Sequence, residues 1–402
     1  MLNHEALSKR VIGSLIYRQE EKQWEDLIGN LLHKLELSTK DRAEAELAYN
    51  ALGQSIARKL GIPMHDVDVF PQGSMRTQTT INQRHPTKFD LDIVVKLTGP
   101  GYNQMDSETM FNLFGDALKG NESETGTPEP KRRCWRLQYP NKSFYFDVTP
   151  AVEGTSYAAG AHLRVRDQKR GWAPTNPKEF ADWFCESANL RFIFTRSVQR
   201  SVVVADSIQR LPQEPVGLDD ILRRTVQLIK LHRDHMYWHA DDNRKDAQPI
   251  SVIIVTLATH AYTDLWQNQK SDFSSPIEVA LTLVEAMPNY INKDGTSYSV
   301  PNPKLISENF ADRWNDDNGV RADEFKKWHA QLEKDLESLL HQGTNAATEA
   351  SIREVFGTAG VEAWKASQPK SNIFDGLITS SVGHTKSNPN APIKRGSTDT
   401  LG

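Results

Sequence analysis

Apolar residues near the start of the chain recur every three or four positions, which is the spacing of one face of an α-helix. This pattern predicts a first helix from Trp24 to Leu37 and a second helix that ends at Gly61. Ser38 or Thr39 lies before the second helix, and both are residue types that cap helix N-termini. We therefore expect the chain to open with helices.

The pattern changes from Val67 onward, where β-branched and aromatic residues form short runs typical of β-strands. Strands are predicted at 67–70, 91–97 and 143–149. The middle of the chain is therefore expected to be an α/β block.

The helical spacing returns after Gly217. One helix is predicted to follow directly, a second at 251–266 and a third around 325–339. The stretch 371–402 is rich in Gly, Ser, Thr, Asn and Pro and has few large apolar residues. The sequence therefore predicts an all-helical region followed by a flexible tail.

Acidic residues stand next to apolar runs in two of the predicted strands. Asp90 and Asp92 are separated by one residue, so both side chains point to the same face of their strand. Asp147 lies among apolar and aromatic residues of a later strand. Charges beside a core persist only when they are paired or bind a metal. The three aspartates therefore predict a carboxylate cluster that binds cations.

A Gly73-Ser74 turn precedes these aspartates. Glycine lets the backbone approach a phosphate closely, and the Ser74 hydroxyl with the following amides, at the start of a helix, can bind phosphate oxygens. Two Mg²⁺ ions on the carboxylates, with Mn²⁺ as a substitute, would activate an attacking hydroxyl and neutralise a leaving pyrophosphate. Each part alone is common in folded chains, and only their order and spacing favour a site.

Composition narrows the classes of partner. The 402 residues include 48 Lys and Arg against 52 Asp and Glu, for a net charge of −4, which argues against extended nucleic-acid binding or an anionic membrane surface. Cys134 and Cys185 show neither a disulfide framework nor zinc-ligand spacing. The longest apolar stretch, 250–258, is interrupted by polar residues. We expect a cytoplasmic protein without a membrane anchor.

The Gly-Ser turn, the Asp-x-Asp pair and the third Asp together resemble the nucleotidyltransferase superfamily of DNA polymerase β. Within it, the chain resembles the bacterial cGAS/DncV-like nucleotidyltransferases (CD-NTases) of CBASS antiphage systems, over about residues 40 to 340. Further segments similar to that family are Leu163–Asp167, Trp172–Trp183, Leu228–Asp234, Pro249–Ile253 and Asn302–Trp314.

The resemblance implies an α+β fold, in which a polymerase β-like lobe with a mixed sheet and helices packs on a C-terminal helical lobe. The active site would lie in the cleft between the lobes. The implied boundaries are 1–65 for N-terminal helices packing across both lobes, 66–215 for the nucleotidyltransferase core, 216–345 for the helical domain and 371–402 for the tail.

The resemblance also implies roles for single residues. Gly73 and Ser74 would hold the β and γ phosphates of the donor nucleotide. Asp90, Asp92 and Asp147 would be the catalytic metal ligands, with Asp147 nearest the acceptor 2′- or 3′-hydroxyl.

Lys230 and Ser251 match the pair with which the helical lobe of this family grips the triphosphate. A lysine on an otherwise apolar helix and a serine at a helix N-terminus both suit an anion. The alternatives are a snorkelling or solvated lysine and a plain N-cap serine.

Four other residues carry weaker signals. Arg76 could contact a phosphate, although a surface arginine is as good an interpretation. His232 and His235 have ligand-like spacing, but no Cys-rich insertion accompanies them, so we interpret them as packing or solvent-facing residues. Val252 stands where some relatives place a base-stacking aromatic, which leaves the base-stacking residue open.

The implied activity is the joining of NTPs, ATP or GTP among them, into a cyclic di- or trinucleotide that activates a downstream effector in antiphage defence. One alternative is the addition of nucleotides to RNA or protein, and another is a non-catalytic nucleotide sensor or scaffold. Which bases, which linkage, which ring size and which oligomeric state apply is left open by the sequence.

Two surface features complete the expectations. The basic runs 131–133 and 164–170 are interpreted as solvated faces rather than a nucleic-acid stripe. In part of the resembled family an E1/E2-like protein conjugates the terminal residue to a target, so Gly402 is a candidate conjugation site; a dispensable tail is the alternative.

Overall fold

The structure is a computed structural model that describes residues 6–81, 88–154, 162–194, 216–217, 220–344 and 347–367. The predicted tail, 371–402, and with it Gly402, lies outside the described residues. Residue 215, the predicted end of the nucleotidyltransferase core, lies outside them as well.

The described helices and strands are numbered here in chain order. The helices are α1 Leu7–Arg18, α2 Glu21–Lys34, α3 Thr39–Leu60, α4 Gly73–Thr77, α5 Pro100–Gln104, α6 Ser107–Leu118, α7 Glu122–Thr125, α8 Pro177–Ala188, α9 Ile221–Trp238, α10 Asp242–Ala247, α11 Ser251–Gln269, α12 Pro276–Ala286, α13 Asp312–Asp316, α14 Val320–His341 and α15 Glu349–Ser367. The strands are β1 Val67–Pro71, β2 Phe89–Leu97, β3 Glu129–Pro130, β4 Trp135–Leu137, β5 Phe144–Glu153, β6 Leu163–Asp167, β7 Gly171–Thr175, β8 Asn292–Asp294, β9 Ser297–Ser299, β10 Pro301–Asn302 and β11 Leu305–Asn309.

The main sheet is mixed and has the strand order β1-β2-β5-β4-β3, with β6 paired to β5 and β7 paired to β6. β2 and β5 run parallel, and the other pairs of this sheet are antiparallel. The register of the parallel pair sets Asp92 opposite Asp147. Two short hairpins, β8-β9 and β10-β11, lie apart from this sheet.

Strand β2 has a core face and a cleft face because its side chains alternate. Leu91, Ile93 and Val95 are fully buried in a core that α3 and α6 share with the sheet. Asp90 and Asp92 occupy the alternate positions and therefore point away from that core. The apolar run predicted as a strand thus also determines the direction of its carboxylates.

A second core holds the helical lobe together. Helices α9, α11, α12 and α14 contribute to it, and so do α1, α2 and α15 from the two ends of the described chain. Trp24 and Trp328 are fully buried there. The N-terminal helices are therefore divided, since α1 and α2 pack in the helical lobe while α3 packs against the sheet.

Several local predictions are confirmed. Ser38 caps α3 by accepting a hydrogen bond from the Asp41 amide at 3.1 Å, and Gly61 ends that helix in the left-handed conformation. The strands predicted at 67–70, 91–97 and 143–149 correspond to β1, β2 and β5. Helix α1 and the short strands β3 and β4 were not predicted. None of the described helices combines the length and apolar character needed to cross a membrane.

Candidate active site

Asp90, Asp92 and Asp147 form one carboxylate cluster. Each offers an oxygen, and the three oxygens lie within 4.8 Å of one another. Asp90 is exposed toward the cleft, Asp92 is half-buried and Asp147 is buried. The parallel pairing of β2 with β5 brings these residues together across more than fifty positions of sequence.

The cluster is electrostatically strained without a cation. Desolvation by the surrounding protein, reinforced by the charge of Asp147, raises the pKa of Asp90 to about 6. Desolvation and the charges of Asp90 and Asp147 raise the pKa of Asp92 well above its usual range. Closely spaced carboxylates disfavour one another's ionised form. A divalent cation relieves this repulsion, and hard cations prefer oxygen ligands, so the residues present fit a metal site.

Arg136 is a member of the site that the sequence did not reveal. It lies on β4 opposite Asp147, and its Nε and Nη2 donate to the two Asp147 carboxylate oxygens at 2.8 and 2.7 Å. Its guanidinium stacks 4.4 Å from the ring centre of Tyr145, whose hydroxyl bonds the Asp90 carboxylate. Arg136 thus orients Asp147 directly and lies against Tyr145, which bonds Asp90.

The Gly73-Ser74 turn lies directly against the carboxylates. Gly73 has a φ of 55°, and a Cβ atom there would lie 2.7 Å from Oδ2 of Asp92. The Ser74 hydroxyl accepts a hydrogen bond from Thr80 Oγ1 at 3.2 Å, and Ser74 O accepts one from the Thr79 amide at 3.0 Å. Only glycine allows this approach of the turn to the aspartate.

Lys230 lies across the cleft from the turn, on α9. It is buried, and its Nζ donates to the carbonyl oxygen of Thr79 at 2.9 Å. Desolvation, followed by the charge of Arg233, lowers its pKa to about 8. A snorkelling or solvated lysine does not fit this position, because the ammonium group is buried against the loop that follows the Gly-Ser turn.

Ser251 is the first residue of α11 on the same side of the cleft. The N-cap residue is Ile250, and no side chain caps this helix. The Ser251 hydroxyl instead accepts a hydrogen bond from Nη2 of Arg233 at 3.2 Å. The alternative of a plain N-cap serine therefore does not hold.

These residues line one cavity of about 760 Å³. This volume is typical of small-ligand sites. The predicted residues that line it are Gly73, Ser74, Asp90, Asp92, Lys230 and Ser251. Asp147 does not line it but lies beside Asp90 and Asp92, where Arg136 holds its carboxylate.

A second cavity of about 490 Å³ adjoins the first, since both are lined by Gly73, Asp92, Phe180 and Val252. Its lining includes the basic residues Lys131, Arg132, Arg133, Arg170 and Arg313 and the acidic residues Glu308 and Asp312.

The interpretation of the basic runs as solvated faces was wrong in part. Arg132 and Arg133 share the carboxylate of Asp167, and Arg166 is buried in an ion pair with Glu108.

The weaker candidates take structural roles. Arg76 forms an ion pair with Asp182 at 2.8 Å. His232 is buried and bonds Asp335 at 3.0 Å, and His235 is half-buried against Gly357, which agrees with packing roles. Cys134 and Cys185 are both free thiols.

Comparison with known proteins identifies the family. The model of the Second Messenger Oligonucleotide or Dinucleotide Synthetase domain matches residues 24–188. A c-di-GMP synthase of Roseivirga ehrenbergii is 30% identical over 311 residues, which cover 75% of this chain and 76% of that protein. The chain belongs to the CD-NTase family.

Solved CD-NTases share its fold. CdnG of Bradyrhizobium diazoefficiens, in complex with GTP, superposes with a TM-score of 0.62 at 21% identity, covering 85% of this chain and 97% of that one. CdnC of E. coli MS115-1, solved with ATP, gives a TM-score of 0.57 at 13% identity, covering 83% of this chain and 97% of that one.

As a CD-NTase, the protein is a nucleotidyltransferase that synthesises a cyclic oligonucleotide. The predicted family, fold class and enzyme class are therefore confirmed. The roles of individual residues stay predictions, and the geometry above supports them.

Proposed function

We propose that the protein condenses NTPs, GTP among them, into a cyclic dinucleotide and releases pyrophosphate at each step. The observation that carries this proposal is one cavity in which Asp90, Asp92 and the Gly-Ser turn face Lys230 and Ser251, with Asp147 beside the two aspartates. The similarity to a c-di-GMP synthase over three quarters of the chain supports guanine as a base of the product. Cyclic di-GMP is accordingly the first product to test.

The residues divide the work between the two sides of the cavity. Gly73 and Ser74 lie where donor phosphates can approach the backbone closely, and Lys230 and Ser251 contribute a cation and a hydroxyl from the opposite wall. Two Mg²⁺ ions, or Mn²⁺ in their place, would supply activation of the acceptor hydroxyl and neutralisation of the leaving pyrophosphate. Catalysis is then mainly positioning and electrostatic stabilisation.

The second cavity suits the acceptor nucleotide. It meets the first at Gly73 and Asp92, so an acceptor hydroxyl there can reach a donor phosphate beside the carboxylates. The acceptor hydroxyl loses its proton to solvent, its oxygen bonds the α phosphorus, and the bond to pyrophosphate breaks. The linear intermediate then turns round in the same site, and a second transfer closes the ring.

Replacement of two cluster aspartates tests the proposal. The Asp90→Asn/Asp92→Asn enzyme keeps the shape of the cluster and loses two of its three carboxylates. We expect no cyclic product by mass spectrometry from labelled GTP, ATP, CTP and UTP with Mg²⁺, and an unchanged fold by circular dichroism. Asp68→Asn, an exposed pair with Lys178 outside the cavities, is the control and should stay active. Synthesis by the double variant would contradict the proposal.

The two alternatives give different products. A transferase that acts on RNA or protein leaves label on a macromolecule, and a non-catalytic sensor releases no pyrophosphate. A labelled small product without free phosphate ends, resistant to phosphatase, supports the cyclase.

The partners are part of the proposal. The product is expected to activate a downstream effector in antiphage defence, as the family membership implies. Conjugation of Gly402 by an E1/E2-like protein stays a prediction. Deleting Leu401 and Gly402 should block conjugation in cells that contain such a protein and leave synthesis by the purified enzyme unchanged. Unaltered conjugation would contradict it.

A further inference from the structure

Arg233 links the two segments of the helical lobe that face the nucleotide cavity. It lies on α9, one turn after Lys230, and its side chain is 8% exposed. Its Nη1 donates to the carbonyl oxygen of Pro249, and its Nη2 donates to the Ser251 hydroxyl at 3.2 Å. Both acceptors belong to the segment that leads into α11, so one guanidinium holds that segment against α9.

The guanidinium of Arg233 is paired with a neighbouring carboxylate. Its Nε donates to Oδ1 of Asp234 at 2.5 Å, and both side chains are buried. Arg233 lines the nucleotide cavity, but its Nε and both Nη atoms already donate to protein oxygens, so it is less suited than an unpaired guanidinium to clamp a phosphate directly. Lys230 differs, because its Nζ donates to a neutral acceptor, the carbonyl oxygen of Thr79.

The bond from Arg233 determines what the Ser251 hydroxyl can do. A serine hydroxyl carries one hydrogen and two acceptor lone pairs. Arg233 occupies an acceptor position, which leaves the Ser251 hydrogen without an acceptor among the described residues. Ser251 lines the nucleotide cavity, so its hydroxyl hydrogen is available for donation there.

We propose that Arg233 is a positioning residue, which holds Ser251 so that its hydroxyl donates to a phosphate oxygen of the bound nucleotide. This inference rests on the proposed function, in which Ser251 faces the triphosphate. Arg233 itself does not touch the nucleotide, and its effect on binding passes through Ser251.

A double-mutant cycle tests the inference through binding of a non-hydrolysable GTP analogue with Mg²⁺. Arg233→Lys keeps a cation beside Asp234 but loses the forked pair of Nη bonds to Pro249 and Ser251. Ser251→Ala removes the hydroxyl. A hydrogen bond to a charged group contributes about 1.5–3 kcal/mol, so each single variant should bind roughly tenfold or more weakly. The double variant should bind no more than about twofold more weakly than Ser251→Ala, because the two residues act as one unit.

Independent effects would overturn the inference. If the two losses multiply, Arg233 acts apart from Ser251, and if Arg233→Lys binds like the wild type, the forked bonds are not needed. A merely structural role would lower the melting temperature and give the same binding loss with or without Ser251. Arg233→Gln, which retains one amide donor, provides a second variant if Arg233→Lys is poorly folded, and the same non-multiplying pattern is expected.

Failure of the proposed function is distinguishable in the same experiment. If the wild-type enzyme binds neither the GTP analogue nor any other NTP analogue, the proposed nucleotide site itself is refuted. A wild-type enzyme that binds, with independent losses in the variants, would refute only the role of Arg233.

Discussion

Replacing Gly73 by alanine tests whether the Gly-Ser turn must be glycine because of the aspartate beside it. Gly73 has a φ of 55°, and an added Cβ would lie 2.7 Å from Oδ2 of Asp92. An ordinary contact begins near 3.4 Å, so the carboxylate oxygen has to move by about 0.7 Å. The variant therefore displaces a metal ligand without removing a functional group.

The expected magnitude has two parts. Left-handed backbone costs a non-glycine residue about 1–2 kcal/mol, which should appear as lower stability. A misplacement of about 1 Å at a reacting centre can cost about a hundredfold in rate. We therefore expect synthesis to fall by roughly 30- to 100-fold, which corresponds to about 2–3 kcal/mol in the activation free energy.

Gly295→Ala is the matched control. Gly295 lies in the β8-β9 turn with a φ of 57°, and a Cβ there would meet nothing within 4 Å. Both variants carry the same backbone strain, and only Gly73→Ala disturbs the cluster. Pyrophosphate release from GTP with Mg²⁺ gives the rate, and thermal unfolding gives the stability.

Two outcomes would refute the reasoning. Gly73→Ala that is folded and retains a rate within threefold of the wild type would show that the carboxylate has room to move without consequence. An equal loss of rate in Gly295→Ala would show that backbone strain, rather than the contact with Asp92, controls activity.

Three further predictions concern single side chains. Arg136→Met should lower the Mn²⁺ concentration needed for half-saturation, because the guanidinium and the metal compete for the Asp147 oxygens. Water-proton relaxation measures the binding, and weaker Mn²⁺ binding by the variant would contradict the prediction. The pKa of Lys230 is about 8, so nucleotide affinity should fall as the pH rises above 8. Lys230→Met should bind nucleotide roughly tenfold more weakly at pH 7 and should not show this decline. A parallel decline in the variant would argue against this role of Lys230. Burial raises the pKa of Glu25 to about 7, so its contribution to stability is present below pH 4.5 and lost as the pH rises through 7. Glu25→Gln keeps an acceptor for the Ile277 amide and should remove this pH dependence of stability, so that it stabilises the protein at pH 8 by roughly 3 kcal/mol at most. Urea unfolding at pH 5 and 8 measures the effect. An unchanged pH dependence in the variant would exclude this role of Glu25.

Local pattern was sufficient for much of the fold. The alternation in β2 defines a core face and an acid face within nine residues, so Asp90 and Asp92 could be placed on one side without knowing any neighbour. The cap at Ser38 and the stop at Gly61 depend on the residues next to them and were predicted for the same reason. The family resemblance then connected the Gly-Ser turn to the aspartates and to Lys230 and Ser251.

Other members of the site could not be found in this way. Arg136 lies on a three-residue strand, which is too short to show a period, and its partner Asp147 is decided by the pairing of β4 with β5. Arg233 occurs in a helix whose residues are nearly all buried, so no polar stripe distinguishes it. Its contacts with Pro249 and Ser251 exist only because α9 packs beside the start of α11.

The side chains that face away from each core can be predicted from the amino-acid pattern, because their direction depends on the backbone period of a single element. Which of those side chains meet depends on the tertiary structure. The register of β2 against β5 sets Asp92 beside Asp147, and the packing of the two lobes sets Lys230 beside Thr79. Such contacts depend on the pairing and packing of segments far apart in sequence, and no local pattern records them.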